Sequence, residues 1–412
     1  MAFFSSYKST VFIWFLVLSA CGSPQKMEKT NQNIAKAKET SIAPKPIVVA
    51  ANRTEKYLPM LKGKSVGIVA NQTSVIFDTD KHTHLVDSLI ASDVDIKKVF
   101  APEHGFRGQA DAGEKVKDGV DLKTGLPLIS LYGKNRKPSA EQLQGLDIVL
   151  FDIQDVGVRF YTYIATLQLV LEACAENNIP IMVLDRPNPN AHYVDGPTME
   201  AEHTGFLGMN EIPLVYGMTI GEYAKMINEE KWLKDGLKAN LMIIPLENWT
   251  YTSPYQLAIR PSPNLPNDQA INLYPSLGLF EGTNANAGRG TEFQFQRYGA
   301  SFLDSTQYSF TYTPKPNFGS KNPKEKGKIC FGKDLSKISR MNHVTLQWII
   351  DAYNNSTDKS KFFNRTGFTK HAGTKNLQQQ IEAGLSEKEI KASWQTDLEK
   401  FKMVREKYLL YN

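Results

Sequence analysis

A loop rich in potentially catalytic side chains follows an apolar segment of the chain. The residues Ile96–Ala101 predict a buried strand, and Glu103, His104 and Arg107 follow it directly. A proline and a glycine in the same stretch indicate that the strand gives way to a loop there. α/β enzymes often carry a carboxylate, an imidazole and a guanidinium on such a loop. The alternative is a solvated loop whose charges pair with one another.

Polar side chains also follow three other predicted strands, at 64–70, 146–153 and 179–184. The side chains at or just beyond these strand ends are Asn71; Asp152, Asp155, Arg159, Tyr161 and Tyr163; and Asp185, Arg186 and Asn188. In open parallel sheets, ligands bind at the carboxyl ends of the strands. One polar strand end could be a helix cap, but four in succession favour a shared site.

The order of elements predicts an α/β fold. Strand signals alternate with predicted helices at 84–92, 138–143 and 161–176, which indicates a mostly parallel sheet with helices on both faces. The segment 146–153 is almost wholly apolar, as expected of a strand buried on both faces.

A second, smaller part of the chain is predicted to begin near residue 236, with a strand at Leu241–Pro245. At ~150 residues per domain, the 412-residue length fits two domains. The second part contains a Gly- and Asn-rich stretch that carries Glu281, Arg289 and Glu292. A capping box that starts at Ser386 opens a final helix, predicted to run towards Tyr408.

The N-terminus has the pattern of a secretory signal peptide. A lysine precedes a short apolar run, and Leu18–Cys21 resembles a bacterial lipobox, in which the cysteine receives lipid. We therefore expect residues 1–21 to be a lipoprotein signal with Cys21 lipidated, residues 22–46 a flexible tether, and the protein to be anchored in the cell envelope, on the periplasmic side. The alternative is an ordinary signal peptide with an incidental cysteine.

The charge distribution argues against a nucleic-acid partner. The net charge is +5, and residues 1–60 carry eight basic residues against three acidic ones, so that the rest of the chain has 40 of each. A nucleic-acid-binding domain would need a basic face on its folded body. The membrane is expected as a partner only through the N-terminal lipid.

Several reaction types lack their sequence signature. The chain has no G-x-S-x-G nucleophile elbow, because its one match, GKSVG at 63–67, opens a predicted strand instead of following one. It also has no H-E-x-x-H, no P-loop and no G-x-G-x-x-G after its first predicted strand. His82 and His84 are two residues apart before a helix and are interpreted as surface residues. We therefore expect neither a metal nor a cofactor, although a nucleotide-dependent enzyme on such a sheet is a possible alternative.

The remaining groups suit a sugar substrate. The candidate carboxylates are Glu103, Asp111, Glu114, Asp152, Asp155, Asp185, Glu281 and Glu292, and the candidate arginines are Arg107, Arg159, Arg186 and Arg289. Paired carboxylates perform glycoside hydrolysis, and arginine binds a carboxylated sugar through two parallel hydrogen bonds. For each pair the alternative is a structural salt bridge.

Several long motifs occur in order along the chain: GIVANQTS (67–74), FAPEHGFRGQ (100–109), FDIQDVGVRFYTY (151–163), DRPNP (185–189), VYGMT (215–219), and EGT (281–283) with GRGT (288–291). Together they resemble the exo-acting β-N-acetylmuramidase family of peptidoglycan hydrolases. The resemblance implies a Rossmann-like domain at 47–235, a smaller α+β domain at 236–412, and a cleft between them. It also implies release of N-acetylmuramic acid from the non-reducing ends of peptidoglycan fragments.

The resemblance, together with position, also implies roles for the site residues. Glu103 is the candidate general acid, and Asp152 or Asp155 is the candidate second carboxylate. The resemblance leaves open a retaining or an inverting mechanism. Substrate contacts are expected from Asn71, His104, Arg107, Arg159, Tyr161, Tyr163, Asp185, Arg186, Asn188, Glu281, Arg289 and Glu292. Of these, Arg289 or Arg186 is the candidate ligand of the lactyl carboxylate.

The chain departs from the family pattern at two places. Asn190 begins a segment where glycine is expected, and Gln294 stands where proline is expected. Both departures affect the expected loop shape and substrate range more than the carboxylates. A peptidoglycan-binding lipoprotein without catalytic activity remains an alternative.

Overall fold

The computed structural model describes residues 45–79, 81–107 and 118–412. The predicted signal peptide, Cys21, most of the tether, Asp111 and Glu114 lie outside the described residues. In the part that is described, no helix is long and apolar enough to cross a membrane.

The described chain contains strands and helices in alternation over its first two thirds. The strands are β1 Val66–Ala70, β2 Val75–Phe77, β3 His82–His84, β4 Ile96–Ala101, β5 Gly119–Val120, β6 Pro127–Ser130, β7 Ile148–Asp152, β8 Ile181–Leu184, β9 Leu241–Ile244, β10 Arg297–Ala300, β11 Phe310–Tyr312 and β12 Cys330–Asp334. The α-helices are α1 Thr54–Leu61, α2 Leu85–Ala91, α3 Ala140–Leu143, α4 Tyr163–Glu176, α5 Ile220–Glu229, α6 Asp268–Leu277, α7 Gln347–Asn354, α8 Arg365–Ala372, α9 Asn376–Glu382, α10 Glu387–Ser393 and α11 Gln395–Glu406.

A seven-stranded sheet in the order β5-β6-β4-β1-β7-β8-β9 forms the centre of the molecule. Its neighbouring strands pair in parallel except for β5, which is antiparallel to β6. Along β1 and β7, Ile68 and Leu150 pack into one apolar cluster, and Val69 and Phe151 pack into the other. The prediction of a mostly parallel α/β sheet covered on both faces is confirmed.

The register of the central strands aligns their carboxyl ends. Val69 of β1 pairs with Phe100 of β4 and with Phe151 of β7, and Ala70 pairs with Asp152. The loops after these three strands therefore leave the sheet at the same edge, as the sequence predicted.

The second part of the chain contains a three-stranded antiparallel sheet in the order β10-β12-β11, together with α6 to α11. The strand expected to open this part, β9, instead pairs in parallel with β8, so the large sheet extends beyond the predicted boundary at 235/236. The capping box at Ser386 is present, but the final helix is divided into α10 and α11 at Trp394.

Candidate functional site

A cavity of about 550 Å³ lies beside the carboxyl ends of the central strands. Its walls come from the loop after β4, the start of α4, the segment 203–207, and the second part of the chain. The lining residues are Glu103, His104, Tyr132, Arg136, Phe160, Tyr161, Thr162, His203, Thr204, Gly205, Phe206, Leu207, Ser262, Asn264, Leu265, Tyr274, Glu281, Arg289, Phe295, Lys370 and His371. Of the predicted site residues, this wall brings together Glu103, His104, Tyr161, Glu281 and Arg289.

Glu103 is presented by a tight turn after β4. The amide of Gly105 donates to the carbonyl of Pro102 at 3.0 Å, and His104 has a left-handed φ of 71°. That conformation costs a residue with a Cβ about 1 kcal/mol, so the surrounding structure must hold the turn in place. Oε2 of Glu103 accepts a hydrogen bond from the Thr162 hydroxyl at 2.8 Å.

Tyr132, on the same wall, forms a hydrogen bond with Glu103. Burial raises the pKa of the Tyr132 hydroxyl well above its usual value, and the negative charge of Glu103 and a hydrogen bond to it raise the pKa further. Tyr132 therefore remains a neutral hydroxyl beside this carboxyl group. The carboxyl thus has two hydroxyl neighbours, Thr162 and Tyr132.

Glu281 is the second carboxylate on the cavity wall. Its Oε1 lies 3.0 Å from Nη1 of Arg289, and its Oε2 lies 4.0 Å from Nε2 of His371. The ammonium group of Lys324 donates to the backbone carbonyls of Phe280 at 3.0 Å and Glu281 at 2.9 Å, and also to that of Thr283. Lys324 therefore fixes the backbone turn from which Glu281 projects.

His371 lies beside Glu281 at the end of α8. Its Nδ1 contacts the carbonyl of Gly367 at 2.8 Å, and because a carbonyl only accepts, Nδ1 carries a proton. Burial lowers the pKa of His371 below its usual value, although the charge of Glu281 opposes this shift. The ring therefore presents Nε2 towards the cavity.

The predicted second carboxylates do not reach the cavity. Asp152 forms a buried, bidentate ion pair with Arg186, with oxygen–nitrogen distances of 2.6 and 2.7 Å. Oδ2 of Asp155 accepts from the amide of Gly157 at 2.6 Å and from the Tyr216 hydroxyl. Burial raises the pKa of Asp155 to about 6. Both aspartates are enclosed by the protein because the sheet is covered on its two faces, and Glu281 occupies the wall position expected of them.

Asp185 and Asn188, after β8, stabilise neighbouring backbone. Asp185 accepts from the Gly221 amide at 2.8 Å, the Thr219 hydroxyl at 2.7 Å and the Tyr411 hydroxyl at 2.5 Å, which joins the start of α5 to the C-terminal segment. Burial raises the pKa of Asp185 to about 7. Nδ2 of Asn188 donates to the carbonyl of Met218 at 2.7 Å. These two side chains do not line the cavity.

Arg159 is buried behind the cavity wall. Its guanidinium donates to four backbone carbonyls, those of Pro197 at 2.7 Å, Ile212 at 2.9 Å, His371 at 3.0 Å and Ala372 at 2.7 Å. Burial lowers the pKa of Arg159 to about 9. The residue joins the segment near 200 to the end of α8, and through it supports His371.

Arg107 and Asn71 also have structural partners outside the cavity. Arg107 lies 2.8 Å from a carboxylate oxygen of Asp121 and 3.3 Å from one of Asp87. Oδ1 of Asn71 accepts from the amide of Thr73 at 2.8 Å and from its hydroxyl, and so shapes the loop after β1.

The other predicted side chains differ in their exposure. Tyr161 lines the cavity and donates its hydroxyl to the carbonyl of Pro261 at 2.6 Å, whereas Tyr163 is buried behind it. Glu292 is exposed and does not line the cavity.

Two cations on the wall were missed by the sequence analysis. The guanidinium of Arg136 lies over the ring of Phe206 at 4.2 Å, and Lys370 lies at the mouth of the cavity. In the described part of the chain, neither residue has a carboxylate within ion-pair distance. No motif marks these positions, because Arg136 lies in a loop and Lys370 belongs to a helix distant in sequence.

One group of side chains near the cavity has the residue types of a metal site. Ligand atoms of Glu200, Glu202 and His203 all lie within 4.8 Å of one another. Glu200 already accepts from Thr374 at 2.5 Å and Asn376 at 3.1 Å, and Nε2 of His203 lies 3.1 Å from a Glu202 oxygen. Pairing between these groups accounts for the cluster, and the expected absence of a metal stays a prediction.

Comparison with known proteins identifies the family. Two family models, the N-terminal and C-terminal parts of exo-β-N-acetylmuramidase NamZ, match residues 66–269 and 272–411. The chain is 37% identical over 377 residues to peptidoglycan β-N-acetylmuramidase NamZ of Bacillus subtilis (strain 168), covering 86% of this chain and 89% of that protein.

Two crystal structures of DUF1343 family proteins from Bacteroides fragilis share the fold. One has a TM-score of 0.81 with 41% sequence identity, and the other has a TM-score of 0.73 with 27% identity. Each comparison covers 89% of this chain and 99% of the other. The chain therefore belongs to the exo-β-N-acetylmuramidase NamZ family.

Proposed function

We infer that this chain is an exo-β-N-acetylmuramidase, a glycoside hydrolase that releases N-acetylmuramic acid from the non-reducing ends of peptidoglycan fragments. The observation that carries this conclusion is a single cavity with two carboxylates, Glu103 and Glu281, on its wall in a member of this family. Glycoside hydrolysis uses two carboxyl groups that flank the scissile bond.

The surroundings of the two carboxylates support different roles for them. The Thr162 and Tyr132 hydroxyls hold the Glu103 carboxyl group on the cavity wall, and we assign to it the role of giving a proton to the leaving oxygen. Glu281 has the cationic partner Arg289, which suits an ionised carboxylate. In this role Glu281 either attacks the sugar carbon or activates a water molecule, while it opposes the positive charge that develops on the sugar ring.

The other walls of the cavity supply recognition of a muramic sugar. Phe160, Tyr161, Tyr274 and Phe295 offer aromatic surface to a sugar ring. The lactyl carboxylate of N-acetylmuramic acid needs a cation, and Arg136 is available for a bidentate contact. Arg186 is committed to Asp152 and Arg289 to Glu281, which favours Arg136 over both earlier candidates.

The direct test is release of a chromophore from a β-glycoside of N-acetylmuramic acid by the purified chain from residue 45. We expect release by the wild-type protein, and no release with the α-linked glycoside. Absence of release from the β-glycoside by folded wild-type protein, with natural disaccharide also uncleaved, would overturn the proposal.

We further propose that the protein acts in cell-wall turnover while anchored to the envelope through lipid on Cys21. The lipobox pattern at Leu18–Cys21 supports this proposal. Expression in a bacterial host with a labelled fatty acid should label the wild-type protein but not Cys21→Ser. Equal labelling of both proteins, or of neither, would contradict lipidation at Cys21.

A further inference from the structure

A depression of about 800 Å³ continues the catalytic cavity along the protein surface. His203, Thr204 and Lys370 line both the cavity and the depression, so the two are contiguous. The other lining residues are Glu202, Thr366, Thr369, Lys375, Gln378, Gln379 and Glu382, which come mainly from α8 and α9. Most of these side chains are exposed, in contrast to the cavity wall.

The junction lies close to the proposed reaction centre. Lys370 directly precedes His371, whose Nε2 is 4.0 Å from Glu281. An enzyme that acts from the chain end holds the terminal sugar in its cavity, so the rest of the glycan must leave through the mouth. The depression starts at the mouth, where the second sugar would emerge.

The chemistry of the depression suits a sugar chain that carries many hydroxyl and amide groups. Glu202 and Glu382 balance Lys370 and Lys375, and Lys375 lies 3.4 Å from Glu202. The amide of Gln378 donates to Glu382 at 2.8 Å, which leaves its carbonyl oxygen as an acceptor. Hydroxyl and amide groups of this kind pair with the hydroxyl and N-acetyl groups of amino sugars.

We propose that this depression, which we call the aglycone surface, binds the third and later sugars of the peptidoglycan strand. Thr366 and Gln379 are the exposed, uncharged side chains of this surface that do not also line the cavity, and they make the direct contacts. The proposal rests on the proposed function, because it assigns the depression to the leaving part of the same substrate. Binding energy from these remote units raises the rate at the reacting bond.

The experiment compares a disaccharide with a tetrasaccharide, both peptide-free and with N-acetylmuramic acid at the non-reducing end. The variant is T366A/Q379A, and the matched control is T79A/Q144A, which replaces an exposed threonine and glutamine outside both cavities. We expect kcat/KM of the variant on the tetrasaccharide to fall about fivefold or more, from two lost hydrogen bonds. Its kcat/KM on the disaccharide and on the chromogenic glycoside should match that of the control.

The outcomes separate this proposal from the proposed function. For each protein, kcat/KM on the tetrasaccharide is divided by kcat/KM on the disaccharide. If this ratio is equal for the variant, the control and the wild type, the aglycone-surface proposal is wrong, whereas the proposed muramidase function still stands. Failure of the wild type to cleave even the chromogenic glycoside would instead remove the proposed function, and this proposal with it. Melting temperatures of all three proteins verify that they are equally folded.

Discussion

Two groups of carboxylates in this molecule have different surroundings. Asp152, Asp155 and Asp185 lie at or just after the ends of β7 and β8 and are buried among partners, whereas Glu103 and Glu281 lie on the wall of a cavity. A strand end therefore brings a carboxylate near the site, but exposure to the cavity decides whether it can meet a substrate.

The buried group supports the edge of the sheet from which the site is built. Asp152 neutralises Arg186, and Asp185 connects α5 with the C-terminal segment through Tyr411. Replacing a residue of this group should change stability, and replacing one on the cavity wall should change turnover.

The largest expected effect is that of Glu103→Gln on turnover. Loss of the proposed proton donor should lower kcat on a natural disaccharide by about 10²- to 10⁴-fold. The amide still accepts a hydrogen bond from Thr162, so the melting temperature should change little. A variant with more than a tenth of the wild-type kcat would contradict the assigned role.

The next effect is the loss of stability in Asp152→Asn. The change leaves the Arg186 guanidinium buried without a counter-charge, and should reduce the free energy of unfolding by about 3–5 kcal/mol. Urea denaturation measures this value. The control is Glu292→Gln, which replaces an exposed carboxylate and should change the free energy of unfolding by less than about 0.5 kcal/mol. Similar losses of unfolding free energy in the two variants would contradict the structural role of the buried carboxylates.

A third prediction concerns the pH dependence of stability due to Asp155. Its pKa rises from 3.8 to about 6 on folding because of burial, so the native state keeps its proton after the unfolded chain has released it. Its contribution to stability is therefore complete below pH 3.8 and is lost as the pH rises through 6, a change of about 3 kcal/mol.

The measurement is the unfolding free energy of wild type minus that of Asp155→Asn, taken from pH 4 to pH 8. This difference should decline as the pH rises, because only the wild type loses the contribution. A difference that is constant, or that grows with pH, would show that Asp155 is ionised in the native state at low pH.

The smallest effect concerns recognition by Arg136. Arg136→Ala should weaken binding of free N-acetylmuramic acid about tenfold, because it removes one charge-assisted contact worth about 1.4 kcal/mol. Binding of N-acetylglucosamine, which lacks the lactyl group, should be unchanged. Isothermal titration calorimetry measures both affinities, and Arg136→Lys should recover part of the loss. An equal loss for both sugars would mean that Arg136 does not bind the lactyl group.

The sequence was most informative about the parallel sheet and the edge where the site lies. The strand predicted at Ile96–Ala101 has those bounds in the structure, because the apolar residues Val99, Phe100 and Ala101 are buried in the sheet and Pro102 ends the strand. The strands β10 to β12 were not predicted, since they are short, and β10 and β12 contain glycine and charged residues that weaken an alternating pattern.

The cavity wall depended on contacts between residues far apart in sequence. Glu281 and Lys370 meet Glu103 only through the packing of the second part of the chain against the loops of the sheet, and Arg136 comes from the loop between β6 and α3. Burial also could not be read locally, since Asp152 and Glu103 both follow apolar strands, and only the covering of the sheet distinguishes them.

The central claim is that Glu103 and Glu281 flank the scissile bond while the strand-end aspartates do not touch substrate. A crystal structure of Glu103→Gln with a bound disaccharide of N-acetylmuramic acid and N-acetylglucosamine tests it most directly. We predict the muramic ring in the cavity, with the glycosidic oxygen within hydrogen-bond distance of residue 103 and Glu281 beside the anomeric carbon. A sugar bound against Asp152 or Asp155, with residues 103 and 281 remote from the bond, would contradict the account.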